Sequence, residues 1–166
     1  MRNGEGMSLT PYGPVLFYGH RAGPWAPFSN FYPVAFELGG ITWHSSEQAF
    51  MYGKSDDPEY KRAILGTRTA WAAKKLGRTC TLRPEWETIK VPWMGKVLRA
   101  KFSQVSMCRE LLLSTGERPI HESCQDSQWG GGPLFPNGRD LLGKCLVDTR
   151  TWLRQGTKEG SSCPVG

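Results

Sequence analysis

Between Pro84 and Ser114 the apolar residues fall at three- and four-residue steps: Met94, Val97, Leu98, Phe102 and Val105, then Cys108, Leu111 and Leu112. That spacing commits the stretch to a helix with one buried face. Pro92 has no N–H and clashes with the preceding turn, so it predicts a helix start or a kink there. The rest of the chain supplies only short pieces to pack against this face. "PVLFYGH" (14–20) is rich in β-formers and reads as a strand. "VAFELGGITW" (34–43) reads as a hairpin turning at Gly39-Gly40, where positive φ is available.

After Trp43 the period changes to a helical one. Ser45, followed three residues later by Gln48, fits a capping box and predicts a helix beginning near Ser46. Pro58 opens a short helix closed by Gly66, and "TAWAAKKLG" forms another closed at Gly77. "RPIHES" (118–123) fits a further short strand, "QWGGGPLFPNG" (128–138) a loop, and "RDLLGKCLVDTRTWL" a closing helix. About six helices and a few short strands in irregular order predict a single, mostly helical α+β domain, not a doubly wound sheet.

The chain has 166 residues, 39% of them hydrophobic, which suits one core and leaves no length for a second. The folded domain is expected over residues 14–155. Residues 1–13, rich in Gly and Pro with no apolar run, read as an N-terminal arm, and residues 156–166 ("GTKEGSSCPVG") as a C-terminal tail. No run of about 18 apolar residues occurs, so a membrane span is not expected.

The five cysteines are scattered, and none forms C-x-x-C. A disulfide framework or a structural zinc is not expected, and the simplest compartment is a reducing one, cytoplasmic or nuclear. His and Cys cluster too little to call for a metal, and neither a strand-linked G-x-G-x-x-G nor a Walker A lysine motif occurs, so no cofactor is expected. The net charge of +6 is unevenly spread: Lys61 to Lys101 holds 11 basic and 2 acidic residues. Such a block points to an anionic partner, nucleic acid or a polyphosphate ligand, or else to a solvated helical face.

"WHSSEQAFMYGK" (43–54) sets a carboxylate and an amine seven residues apart. On a helix beginning near Ser46, Glu47 and Lys54 lie about 20° off a common stripe with a rise near 10 Å. That is too far for a direct ion pair, yet close enough for both to reach one bound ligand. An ordinary alternative stays open, with Glu47 as a helix-start acid and Lys54 as a solvated base at the helix end.

The segments "PFSNFYP" (27–33), "GGITWHSSEQAFMYGK" (39–54), "VLRAKFSQ" (97–104), "LLLSTGERPIHES" (111–123), "DSQWGGG" (126–132) and "GRDLLGKCLVDTR" (138–150) occur in order and span nearly the whole predicted domain. Together they resemble the NADAR family, named for NAD and ADP-ribose. Asp140 stands where that family usually carries asparagine, and Val147 where it carries methionine. The resemblance implies an N-glycosidase that cleaves between ribose C1 and a nitrogen. Its best-supported substrate is ADP-ribose on the guanine amino group of nucleic acid, DNA above all. In some systems such an enzyme is the antitoxin to a DNA ADP-ribosyltransferase. Another branch acts on ribosylamino-pyrimidine phosphates of riboflavin synthesis. A module that binds NAD or ADP-ribose without turnover is the remaining alternative.

Loss of an N-linked base leaves an oxocarbenium-like sugar, which a carboxylate can stabilise or whose attacking water it can activate. A desolvated lysine can instead capture C1 as a Schiff base. By motif match and shared stripe, Lys54 is the candidate amine and Glu47 its acid/base partner. Asp126 matches a family motif and is a candidate for ribose binding or proton transfer, or else an Asx-turn residue. Trp129 is a candidate to stack on a base, and Gly130, Gly131 and Gly132 to let backbone approach a pyrophosphate. Phe28, Ser29 and Asn30 are candidates for the pocket wall, Arg21 for a phosphate contact on charge grounds, and His44 for its place near Glu47. Asp140 is a further candidate contact by position.

Overall fold

The computed structural model describes residues 12–20 and 23–159. In chain order these form β1 (Val15–Phe17), a 3-10 turn (Ala26–Phe28), β2 (Phe36–Leu38), β3 (Ile41–Trp43) and α1 (Ser46–Tyr52). Then come α2 (Pro58–Leu65), α3 (Ala70–Gly77), α4 (Trp86–Gln104), α5 (Ser106–Ser114), β4 (Ile120–Glu122) and α6 (Leu141–Glu159). This is the expected α+β domain dominated by helices. The hairpin β2–β3 pairs Phe36 with Trp43 and turns at Gly39 and Gly40, both at positive φ. β1 lies parallel to β4, far along the chain, with Val15 opposite Ile120 and Phe17 opposite Glu122.

The periodic stretch folds differently in detail from its sequence reading. α4 neither starts nor ends at Pro92 but runs through it. The proline only removes the N–H that would serve the Thr88 carbonyl, and packing of Met94, Val97, Leu98 and Phe102, all 1% exposed or less, outweighs that loss. The break comes instead at Val105, in extended conformation: its N–H closes α4 on Lys101, and its carbonyl opens α5 by accepting from Arg109. α6 runs to Glu159, past the expected end at 155. α4 packs along α6, and α6 covers β4. Phe28, Phe102, Leu112, Ile120, Leu142 and Leu146 fill the core between these elements.

Lys101 belongs to that core. Its side chain is fully buried, and Nζ donates to the carbonyls of Pro27 (2.7 Å) and Ser29 (3.2 Å). The rings of Tyr32 and Phe102 lie beside the ammonium. This lysine fixes the loop that leads to Asn30, and Asn30 in turn accepts the Glu47 N–H at 2.9 Å. A contact buried in the core thus sets where the first turn of α1 sits.

Candidate active site

α1 starts as the sequence implies. Ser45 accepts from the Gln48 N–H at 3.2 Å, and the Gln48 side chain returns to the His44 N–H at 3.0 Å. This reciprocal cap fixes Glu47 in the first turn, where the helix dipole favours a negative charge. The helix is only seven residues long, however, because Gly53 caps it. A side chain at Gly53 would collide with the indole of Trp93, whose N–H donates to the Ala49 carbonyl. Lys54 therefore stands in the turn beyond α1, not on a helical stripe with Glu47. It nevertheless lines the same cavity, with Nζ donating to the Gly77 carbonyl at 2.6 Å.

That cavity, of about 470 Å³, opens between α1, α3, α4 and the segment following β4. Its wall includes Glu47, Asn30 and Lys54 around α1, Lys74 and Arg78 at the end of α3, and Lys90 and Trp86 from α4. Glu122, Asp126 and Trp129 line it from the other side. Phe50 joins the two indoles, at 5.1 Å from Trp86 and 5.0 Å from Trp129. One cavity thus combines aromatic faces, cationic groups and carboxyls, of which Glu47 is buried.

Glu47 is 4% exposed, and burial raises its carboxyl from the ordinary 4.5 to about 7. Lys74, Lys54 and Arg78 pull it back toward ionisation, and Asp126 opposes them. Glu122 is also raised to about 7, first by burial and then by the charge of Glu47, with Lys74 countering. Among the described residues neither carboxyl has an ion-pair partner. Asn30 is 7% exposed; its amide N–H faces the Met94 sulfur at 3.6 Å, and its Oδ1 has no partner. An acceptor so buried calls for a donor from whatever occupies the cavity.

The raised carboxyls have a consequence for stability. Between 4.5 and about 7 the folded protein holds more protons than the unfolded chain, so stability is full below the lower value and falls as pH rises through the upper one. Lys101, lowered by burial from 10.5 to about 8, acts oppositely and only above pH 8. We predict that the melting temperature drops from pH 5 to pH 8 and that Glu47→Gln reduces the drop. Thermal unfolding across that range, with an unchanged drop in the variant, would contradict the assignment.

The remaining expected site residues are differently placed. Phe28 is fully buried and stacks on Trp25 at 5.6 Å, so it is core and not pocket wall. Ser29 is 2% exposed; its hydroxyl accepts from the Phe31 N–H, and its carbonyl holds Lys101. His44 faces Thr67 at 3.4 Å, away from the cavity wall, and burial lowers its pKa. Gly130, Gly131 and Gly132 do not line the cavity. Added side chains there would meet Cys124, Asp140 and His121 respectively, so these glycines serve close packing and not phosphate approach.

Asp140 adopts positive φ (53°), which Asp and Asn tolerate best among residues with side chains. Its carboxylate takes His121 Nδ1 at 2.6 Å and the Glu122 N–H at 3.3 Å. It is a strut behind β4, not a ligand contact. Asp126 does line the cavity, and its Oδ1 accepts from the N–H groups of Gln128 and Trp129, both at 2.9 Å. This is the Asx turn, and it orients the indole beside it. Arg21 lies outside the described residues. Glu122, Lys74, Arg78 and Trp86 were not anticipated. The signal for Glu122 was its register: two residues from Ile120 on one strand, it shares the inward face, where an unpaired acid is costly unless it functions.

A cavity so equipped sets cationic groups and aromatic faces around two carboxyls raised toward neutrality. Comparison with known proteins narrows the class: a family profile described as the NADAR domain matches residues 16–154. This chain belongs to the NADAR family. It is 36% identical over 129 residues to "N-glycosidase YbiA" of Escherichia coli (strain K12), covering 76% of this chain and 80% of that protein. It is 33% identical over 130 residues to "Riboflavin biosynthesis protein VVA0006" of Vibrio vulnificus (strain YJ016), covering 76% of this chain and 35% of that one. The NMR structure of Escherichia coli YbiA superposes with a TM-score of 0.81 at 30% identity, over 93% of this chain and 94% of that one.

Proposed function

We propose that this protein is an N-glycosidase that hydrolyses the ribose C1–N bond of ADP-ribosylated guanine in nucleic acid, DNA in particular, and releases ADP-ribose. The observation that carries the reading is Glu47, a buried carboxyl held near 7, facing one cavity with the Lys54 amine. A carboxyl poised at working pH can exchange a proton in either direction and, when ionised, stabilise a cationic sugar. The unpartnered Asn30 Oδ1 suits a ribose hydroxyl. Lys74 and Arg78 suit phosphates, and Trp86 and Trp129 suit a base.

The names of the relatives support glycosidase chemistry. The basic block supports a polyanionic substrate, since its Lys74, Arg78 and Lys90 all face the cavity. A second reading, cleavage of ribosylamino-pyrimidine phosphates, draws on the relatives named for riboflavin biosynthesis. Incubation with a guanine-ADP-ribosylated DNA oligonucleotide should release ADP-ribose, detected by mass spectrometry, with KM rising steeply with salt. Release only from a small ribosylamino phosphate would select the second reading. Binding of ADP-ribose without release between pH 6 and 9 would reduce the protein to a binding module.

A further inference from the structure

We propose that Glu122 is the proton donor to the departing nitrogen and that Glu47 is the base working opposite it, so that the cavity uses two catalytic carboxyls. This rests on the N-glycosidase reading above. Glu122 is the last residue of β4, where the two-residue alternation gives it the inward face shared with the core residue Ile120. Its backbone is fastened on both sides: its N–H donates to Asp140, and its carbonyl accepts from Cys124 and Gly131. This carboxyl is aimed and held, and no described cation is paired with it.

The charges around the two acids assign their roles. Glu47 on α1 feels three cations, Lys54, Lys74 and Arg78, and is the one favoured as the anion. Ionisation of Glu122 is favoured by Lys74 from α3 and by the Cys124 hydrogen bond, with Glu47 from α1 and Asp126 from its own following loop acting against it. The Cys124 thiol is its hydrogen-bond neighbour, and the acid on α4, Glu87, is already paired with Lys90. Two carboxyls lining one cavity, Glu47 buried and Glu122 half-buried, hold one proton between them more readily than none or two. The proton rests on Glu122.

The step balances without an added reagent. The C1–N bond breaks, its electron pair passes to nitrogen, and nitrogen takes the Glu122 proton and leaves as the neutral amine. Water bonds to C1 and passes its proton to Glu47. One water is consumed, a C–N bond is exchanged for C–O, and the proton gained by Glu47 returns to Glu122 before the next cycle. If the Lys54 amine captures C1 first, Glu122 does the same work on the leaving nitrogen. The unpartnered Asn30 acceptor, on the wall of Glu47 and Lys54, is an independent place for a sugar hydroxyl to donate.

The test is a pH–rate profile of kcat on the ADP-ribosylated guanine oligonucleotide for the full chain. The unaltered protein should give a bell. Glu122→Gln should lose about 10²–10⁴-fold in kcat, keep KM and lose the alkaline limb, because no proton donor remains to be titrated. Glu122→Asp should keep both limbs at reduced rate. A Glu122→Gln enzyme that retains the bell, at full or lowered rate, overturns the assignment and leaves the glycosidase reading standing. Failure of both variants to fold makes Glu122 a structural carboxyl and overturns it equally. No release by the unaltered protein overturns the parent reading and this one with it.

Discussion

Replacing Glu47 with glutamine should lower kcat about 10³-fold while leaving the fold and the affinity for ADP-ribose nearly unchanged. The amide has the shape of the carboxylate and keeps the main-chain anchor, the N–H donated to the Asn30 carbonyl at 2.9 Å. The Ser45–Gln48 cap that positions it does not involve the side chain. What the substitution removes is the ability to take up a proton and to carry negative charge toward a sugar cation. The loss should fall on kcat and not on KM, since the interaction is strongest in the transition state. Relieved of a buried ionisable acid, the variant should also be more stable than the parent above pH 7. Single-turnover release and calorimetric binding of ADP-ribose measure the two halves. A variant within tenfold of the parental rate would remove Glu47 from the chemistry.

Local signals in the sequence were the legible ones. Ser45 and Gln48 marked the start of α1, Gly39-Gly40 the hairpin, and Pro58 and Gly66 the limits of α2, because each acts through backbone atoms a few residues away. Signals that depend on distant partners were not legible. α1 ends at Gly53, where the indole of Trp93 from α4 leaves no room for a side chain, and Lys54 lies beyond the helix yet at the cavity. Pro92 sits within α4 because tertiary packing outweighs one lost hydrogen bond. The triple glycine looks like a phosphate loop in isolation, but its neighbours Cys124, Asp140 and His121 leave no room for side chains. Of the three adjacent residues Phe28, Ser29 and Asn30, only Asn30 reaches the cavity, a matter of side-chain direction that no one-dimensional pattern carries.

The site also explains why the domain tolerates destabilising groups. Two unpaired carboxyls, Glu47 buried and Glu122 half-buried, and the buried acceptor of Asn30 line a cavity where apolar side chains would pack more favourably. The rigid surroundings keep them there. Lys101 holds the loop of Asn30 from inside the core, and Asp140 holds the strand of Glu122 from behind. Both supports act through backbone groups of the site residues or their neighbours, so the carboxyls themselves stay free for a ligand.

Substituting Lys54 should separate covalent from direct hydrolysis. Reduction with borohydride during turnover should attach the ribosyl product to the parent protein, at a peptide containing Lys54, and should attach nothing to Lys54→Ala. The other lysines at or near the cavity are less available. Lys90 is bound to Glu87 and Gln128, and Lys101 is sealed in the core between two carbonyls. Lys74 lies over the Phe31 ring at 5.2 Å. Lys54 donates to the Gly77 carbonyl, a neutral acceptor, and lines the cavity itself. To attack C1 the nitrogen must give up a proton, and in the proposed mechanism Glu47, which lines the same cavity, takes it. The alanine variant should therefore lose about 10²–10⁴-fold in kcat. Lys54→Arg, which keeps the charge beside Glu47 but cannot form the adduct, should fare no better. Recovery by arginine would mean that the cation only stabilises Glu47 electrostatically. An adduct persisting in Lys54→Ala would move the nucleophile to another residue.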